Sequence, residues 1–192
     1  VYNFTITGNT IEADTDNLAG TNERADKAEG IKFTINEGLK NGTTKVTAVI
    51  ENNDIQTRIG DGIEFAVNEV AGEGVVFDAD ITINNNSIVQ TNDNPVGSDN
   101  KDPRDLIKAT FGEEAEGSIT TGTFTITNNT VTSAAEAGDA INYESLSKST
   151  SNSFKFKIEG NDFSAAGDKD LKIIVPAGFL GIFAPDGTTD FD

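Results

Sequence analysis

Ile81-Thr82-Ile83-Asn84-Asn85-Asn86-Ser87-Ile88 is one of five segments of the chain that superpose without gaps. The others are Phe4-Thr5-Ile6-Thr7-Gly8-Asn9-Thr10-Ile11, Ala48-Val49-Ile50-Glu51-Asn52-Asn53-Asp54-Ile55, Phe124-Thr125-Ile126-Thr127-Asn128-Asn129-Thr130-Val131 and Phe156-Lys157-Ile158-Glu159-Gly160-Asn161-Asp162-Phe163. The first and third positions are apolar with polar residues between them, the pattern of a strand with one face inward. The third is Ile in every copy, and the fifth is only Gly or Asn (Gly8, Asn52, Asn85, Asn128, Gly160), the residues that tolerate positive φ most readily. That column reads as a bend. The sixth is always Asn: Asn9, Asn53, Asn86, Asn129 and Asn161. An inward Asn at a corner can pair its amide with the Asn of the next coil and with turn backbone, so these five form a candidate structural ladder. The seventh position is small and polar, and the eighth is apolar again, so the chain turns a corner and begins a second strand.

Working outward, a third strand follows in each unit, with inward residues Ile31-Phe33-Ile35, Ile63-Phe65-Val67, Ile107-Ala109-Phe111, Ile141-Tyr143 and Leu171-Ile173-Val175. Gly30 and Gly62 introduce the first two. The ladder asparagines are separated by 44, 33, 43 and 32 residues. The excess in the long units falls in two polar insertions, 12–29 and 89–105, the second holding Pro95 and Pro103. A constant motif with variable spacers is what stacked coils with outward loops require, since such insertions cost little closure entropy. The expectation is an all-β chain folded as a right-handed parallel β-helix of about five coils over residues 1–175, with two long loop insertions. Residues 176–192 leave the repeat, and apolar Pro176 to Phe183 suits a C-terminal cap or the start of a following segment.

The pattern Ile-x-Asn/Gly-Asn-x-Ile followed by Gly-Ile-x-Phe resembles the repeat of pectate-lyase-like and NosD-like right-handed β-helix proteins, over about residues 2–175. A sandwich would not repeat one motif in register, and a leucine-rich solenoid needs a Leu pattern that is absent. The resemblance implies a superfamily in which many members cut acidic polysaccharides. The residues argue against that activity here. A polygalacturonase-like site wants a His near paired Asp, and the chain has no His. Asp61-Gly62-Ile63 looks like a family fragment but occupies the template place of Gly30-Ile31. A pectate-lyase-like site wants Ca²⁺-binding carboxylates beside a basic residue; Arg24, Arg58 and Arg104 are the only arginines, and none has the flanking pattern.

Composition narrows the partners. The 192 residues carry 32 acidic against 14 basic side chains, a formal charge of −18, which excludes the clustered Lys and Arg that phosphate neutralisation needs. No nucleic acid partner is expected, and no apolar run reaches the roughly 18 residues of a membrane span. With no Cys, disulfides and thiol chemistry are excluded. The chain begins at Val1 within an apparent strand and without a signal peptide, so a mature or excised form is expected. An acidic surface suits a soluble extracellular protein or a divalent-cation binder.

Calcium is the metal this composition favours, because hard oxygen ligands on loops are what Ca²⁺ takes. Asp14 and Asp16 in the first insertion and Asp99, Asp102 and Asp105 in the second are the candidate ligands; Asp186, Asp190 and Asp192 gather near the C-terminus. None follows EF-hand spacing. An ice-binding face would need unbroken Thr ladders, but the second column reads Thr5, Val49, Thr82, Thr125, Lys157 and the fourth Thr7, Glu51, Asn84, Thr127, Glu159. Sequons at Asn3, Asn41, Asn85 and Asn128 are what chance gives in so Asn- and Thr-rich a chain. The reading is an extracellular or cell-surface structural or adhesive module, leaning away from catalysis and self-associating end to end. The alternative is a β-helix that binds or cleaves polysaccharide.

Overall fold

The computed structural model describes residues 1–13, 29–35, 42–57, 60–67, 76–91, 105–111, 119–133, 140–145, 153–163 and 171–174. Three strands recur in each of the first four coils, and two in the fifth, where an isolated bridge between Thr130 and Asp162 stands at the post-corner position. The first-position strands are β1 (Tyr2–Thr7), β4 (Thr43–Glu51), β7 (Val76–Asn84), β10 (Ile119–Thr127) and β13 (Ser153–Glu159). The post-corner strands are β2 (Thr10–Ala13), β5 (Asp54–Thr57), β8 (Ser87–Gln90) and β11 (Thr130–Ser133). The third set is β3 (Ile31–Ile35), β6 (Ile63–Val67), β9 (Ile107–Phe111), β12 (Ile141–Ser145) and β14 (Leu171–Ile174). Each set forms its own parallel sheet with neighbours one coil apart, in the orders β1-β4-β7-β10-β13, β2-β5-β8-β11 and β3-β6-β9-β12-β14. Three parallel sheets wound by successive strands make a right-handed parallel β-helix, the hand that parallel crossovers take.

Registers repeat the motif columns. Ile6, Ile50, Ile83, Ile126 and Ile158 pair in succession along the first sheet, as do Phe4, Ala48, Ile81, Phe124 and Phe156. In the third sheet Ile31, Ile63, Ile107, Ile141 and Leu171 stack, with Phe33, Phe65, Ala109, Tyr143 and Ile173 beside them. These inward columns form the core, and large and small residues interleave to fill it. Phe4 stacks on Phe33 at 4.0 Å between ring centroids, and Tyr143 meets Phe156 edge-on at 4.7 Å.

The corner forces the bend column. Asn52, Asn85 and Asn128 have φ of 58°, 53° and 56°, and Gly8 and Gly160 have 69° and 66°, so the left-handed conformation recurs in all five copies. The post-corner strands run to Ala13 and Gln90, two residues into each stretch expected to be insertion. In β5, β8 and β11 the strand ends on a buried polar residue, Thr57, Gln90 or Ser133, that finds its partner inside the coil. Thr57 Oγ1 and Gln90 Nε2 both donate to Gly60 O, at 3.0 and 3.1 Å, and Ser133 Oγ donates to Gln90 Oε1 at 3.2 Å. Residues 176–192, where a cap or a following segment was expected, lie outside the described residues.

Candidate functional site

The asparagine ladder follows from the bend. A left-handed residue at the fifth position swings the sixth side chain inward along the solenoid axis, where a short amide reaches the coil on either side. Asn9 donates its backbone N–H and Nδ2 to Asn53 Oδ1 at 3.1 and 3.0 Å. Asn53 does the same to Asn86 Oδ1, Asn86 to Asn129 Oδ1, and Asn129 to Asn161 Oδ1, all between 2.9 and 3.0 Å. Each Nδ2 also reaches the other way: Asn53 donates to Ile6 O, Asn86 to Ile50 O and Asn129 to Ile83 O at 3.0 Å, and Asn161 to Ile126 O at 2.9 Å. Asn53, Asn86 and Asn129 are buried, Asn161 is half-buried and Asn9 is exposed.

Every rung has the same polarity. The side-chain oxygen of each asparagine faces the coil before it, and its N–H groups address the oxygen of the coil after it. At the first coil Asn9 Oδ1 therefore accepts nothing from the described residues, while at the last coil the backbone N–H of Asn161 donates to none of them.

The apolar columns of the first coil are less covered than those of the second. Phe4, Ile6, Ile11 and Phe33 are only partly buried, whereas their partners Ala48, Ile50, Ile55 and Phe65 are fully so. Val1 and Tyr2 are 83% and 50% exposed, the large exposed hydrophobics among the described residues. Strands β1, β2 and β3 each pair on one side alone within the described sheets.

Of the expected calcium ligands, Asp14, Asp16, Asp99 and Asp102 lie outside the described residues. Asp105 is half-buried before β9, and its Oδ2 accepts a bond from Asn142 Nδ2 at 2.7 Å. The structure gathers a different acidic group: Glu29, Asp61 and Glu64 each bring a carboxylate oxygen within 4.8 Å of the others. Asp61 is fully buried, Glu64 nearly so. Lys32 pairs with two of them, its Nζ 2.8 Å from Glu64 Oε2 and 3.4 Å from Glu29 Oε1. The hydrogen bond to Glu64 holds the Lys32 ammonium above its usual pKa, against the opposing effect of its own desolvation, with Glu29 adding charge. Sequence reasoning did not find this group. The signal for it is an acidic residue two places before the first inward residue of the third strand: Glu29, Asp61 and Asp105, with Asp139 in the same place but outside the described residues.

No family model, no curated protein and no solved structure matches this chain. No helix among the described residues is long and apolar enough to cross a membrane.

Proposed function

We propose that this chain is a structural module of an extracellular or cell-surface protein, and that it works by joining other copies end to end rather than by catalysis. The observation that carries this reading is the contrast between Phe4, Ile6, Ile11 and Phe33, half-covered in the first coil, and the fully buried residues in the same columns one coil on. An uncovered coil face combines apolar surface with unpaired strand edges, the two features that draw a further strand onto a sheet. The charge of −18 keeps the flanks of such stacks apart and favours growth along the axis. The repeat resembles that of pectate-lyase-like and NosD-like β-helix proteins, and we read this chain as a non-catalytic member. The acidic insertions, with Asp14, Asp16, Asp99, Asp102 and Asp105, are where Ca²⁺ would bind and reduce repulsion between copies.

Light scattering and electron microscopy across protein concentration, with and without millimolar Ca²⁺, test this. Linear particles that lengthen with concentration, and further with Ca²⁺ or salt, are the expected result. A chain that stays monomeric throughout and depolymerises a uronate polysaccharide would overturn it in favour of an enzyme.

A further inference from the structure

We infer that Lys108 and Asn142 go on to form a spontaneous isopeptide bond, an amide between their side chains that ties β9 to β12, with Asp105 carrying the protons. Three features meet at one place on the outer side of the third sheet. Along it the register sets Lys32, Glu64, Lys108, Asn142 and Lys172 in one column, a residue per coil. Lys32 and Glu64 neutralise each other at 2.8 Å. Lys108 makes no ion pair among the described residues, and it lies directly opposite Asn142 on a strand about 4.8 Å away. Asn142 is only 5% exposed although it alternates with the inward Ile141 and Tyr143, and its buried Oδ1 has no hydrogen-bond partner among the described residues. Its Nδ2 donates to Asp105 Oδ2 at 2.7 Å. Asp105 precedes Lys108 by three residues at the entry to β9, so this bond draws the amide toward the strand that carries Lys108 and away from β14 with Lys172.

An amine and an amide do not ordinarily react in water; this place supplies proximity and a proton carrier. Held on adjacent strands, the two side chains meet at an effective concentration that no free amine reaches. The lysine attacks as the neutral amine, and Lys108 is not tied to a carboxylate as Lys32 is. A half-turn of the Asn142 amide sets Oδ1 on Asp105, whose protonated form donates to it, draws electrons from Cγ and gives the buried oxygen the partner it lacks. Lys108 Nζ then bonds to Cγ as Asp105 lends its proton to the oxygen. The freed carboxylate takes a proton from Nζ and hands it to Nδ2; the Cγ–Nδ2 bond breaks, ammonia leaves, and Asp105 recovers its own proton as the carbonyl re-forms. No oxidant or further reactant is consumed. Two coils earlier the same column holds Lys32 and Glu64 as an ion pair, in which a charged carboxylate faces an ammonium and no such step is open.

Such a bond braces the third coil against the fourth in a chain that has no Cys and so no disulfide to do it, and it is independent of how copies associate. Intact-mass spectrometry of the wild-type chain, incubated folded at neutral pH and then denatured, should find it lighter than its sequence by one ammonia. A tryptic digest should give a branched peptide joining the segments of Lys108 and Asn142, uncut after Lys108. Lys108→Arg, which keeps the charge and removes the nucleophile, and Asn142→Ala should both stay at full sequence mass. Asp105→Ala should form the link about a hundredfold more slowly. Lys108→Arg should melt below the linked wild type while its circular dichroism keeps the β signature, which separates lost chemistry from lost folding. A wild-type chain at full sequence mass would overturn the inference. So would ammonia lost without a branch, a branch to Lys172, ammonia still lost from Lys108→Arg, or an undiminished rate in Asp105→Ala.

Discussion

An asparagine in the middle of the ladder and one at its end differ in what their removal leaves behind. Truncating Asn86 strands the buried backbone N–H of Asn53, removes the bond to Ile50 O, and takes one of the two ladder bonds from each of Asn53 Nδ2 and Asn129 Oδ1. Each buried group left without a partner costs about 1–3 kcal/mol, so Asn86→Ala should lower stability by at least about 2 kcal/mol in urea unfolding. Asn9→Ala removes bonds to Thr7 O and Asn53 Oδ1 at an exposed site, and should cost less than about 1 kcal/mol. Equal losses for the two would contradict the polarity of the ladder. This column was readable in the amino-acid sequence because the corner admits one side chain, short and able to donate and accept at once. The inner column of Thr57, Gln90 and Ser133 was not. Several polar residues satisfy that corner, and no single residue type recurs to betray it.

Strands make their own demands. Gly122 lies in mid-β10 with φ of 144°, and a Cβ there would strike the backbone of Ala79 in the neighbouring strand β7. Gly122→Ala should therefore cost about 3 kcal/mol, since neither the conformation nor the space is available, while Gly8→Ala has open space and bears only the conformational cost of about 1 kcal/mol. Thermal melts of the pair separate crowding from backbone strain. The third sheet carries a pH signature. Lys32 is held above its ordinary 10.5, so its contribution is complete below that value and is lost as pH rises through the higher folded-state value. The difference in melting midpoint between the wild type and Lys32→Met should stay level from about pH 6 to about pH 9 and shrink in strong alkali. Alternating apolar residues made these strands legible. The grouping of Glu29, Asp61 and Glu64 escaped, because two are placed by the entry into one sheet and the third by a strand face, which no linear spacing links.

Among the described residues each coil pairs only with its neighbours in the stack, and stability is then a sum of coils and the contacts between them. Deleting residues 54–86 joins Asn53 to Ser87 in the motif's own register and removes one 33-residue unit. The shortened chain should fold into four coils with an unchanged type of circular-dichroism spectrum. Its denaturant slope should fall by about a sixth, in proportion to the surface lost. An unfolded product would mean that coils depend on partners beyond their neighbours. The strands run around the axis, so the hydrogen bonds of all three sheets lie along it. Tension applied through a whole end face stretches the rungs of every sheet at once, and they yield together. Tension applied to one chain terminus meets them singly and peels a coil away like tape. The same body is thus stiff against a load shared across a whole coil face and soft against a load on a single chain terminus.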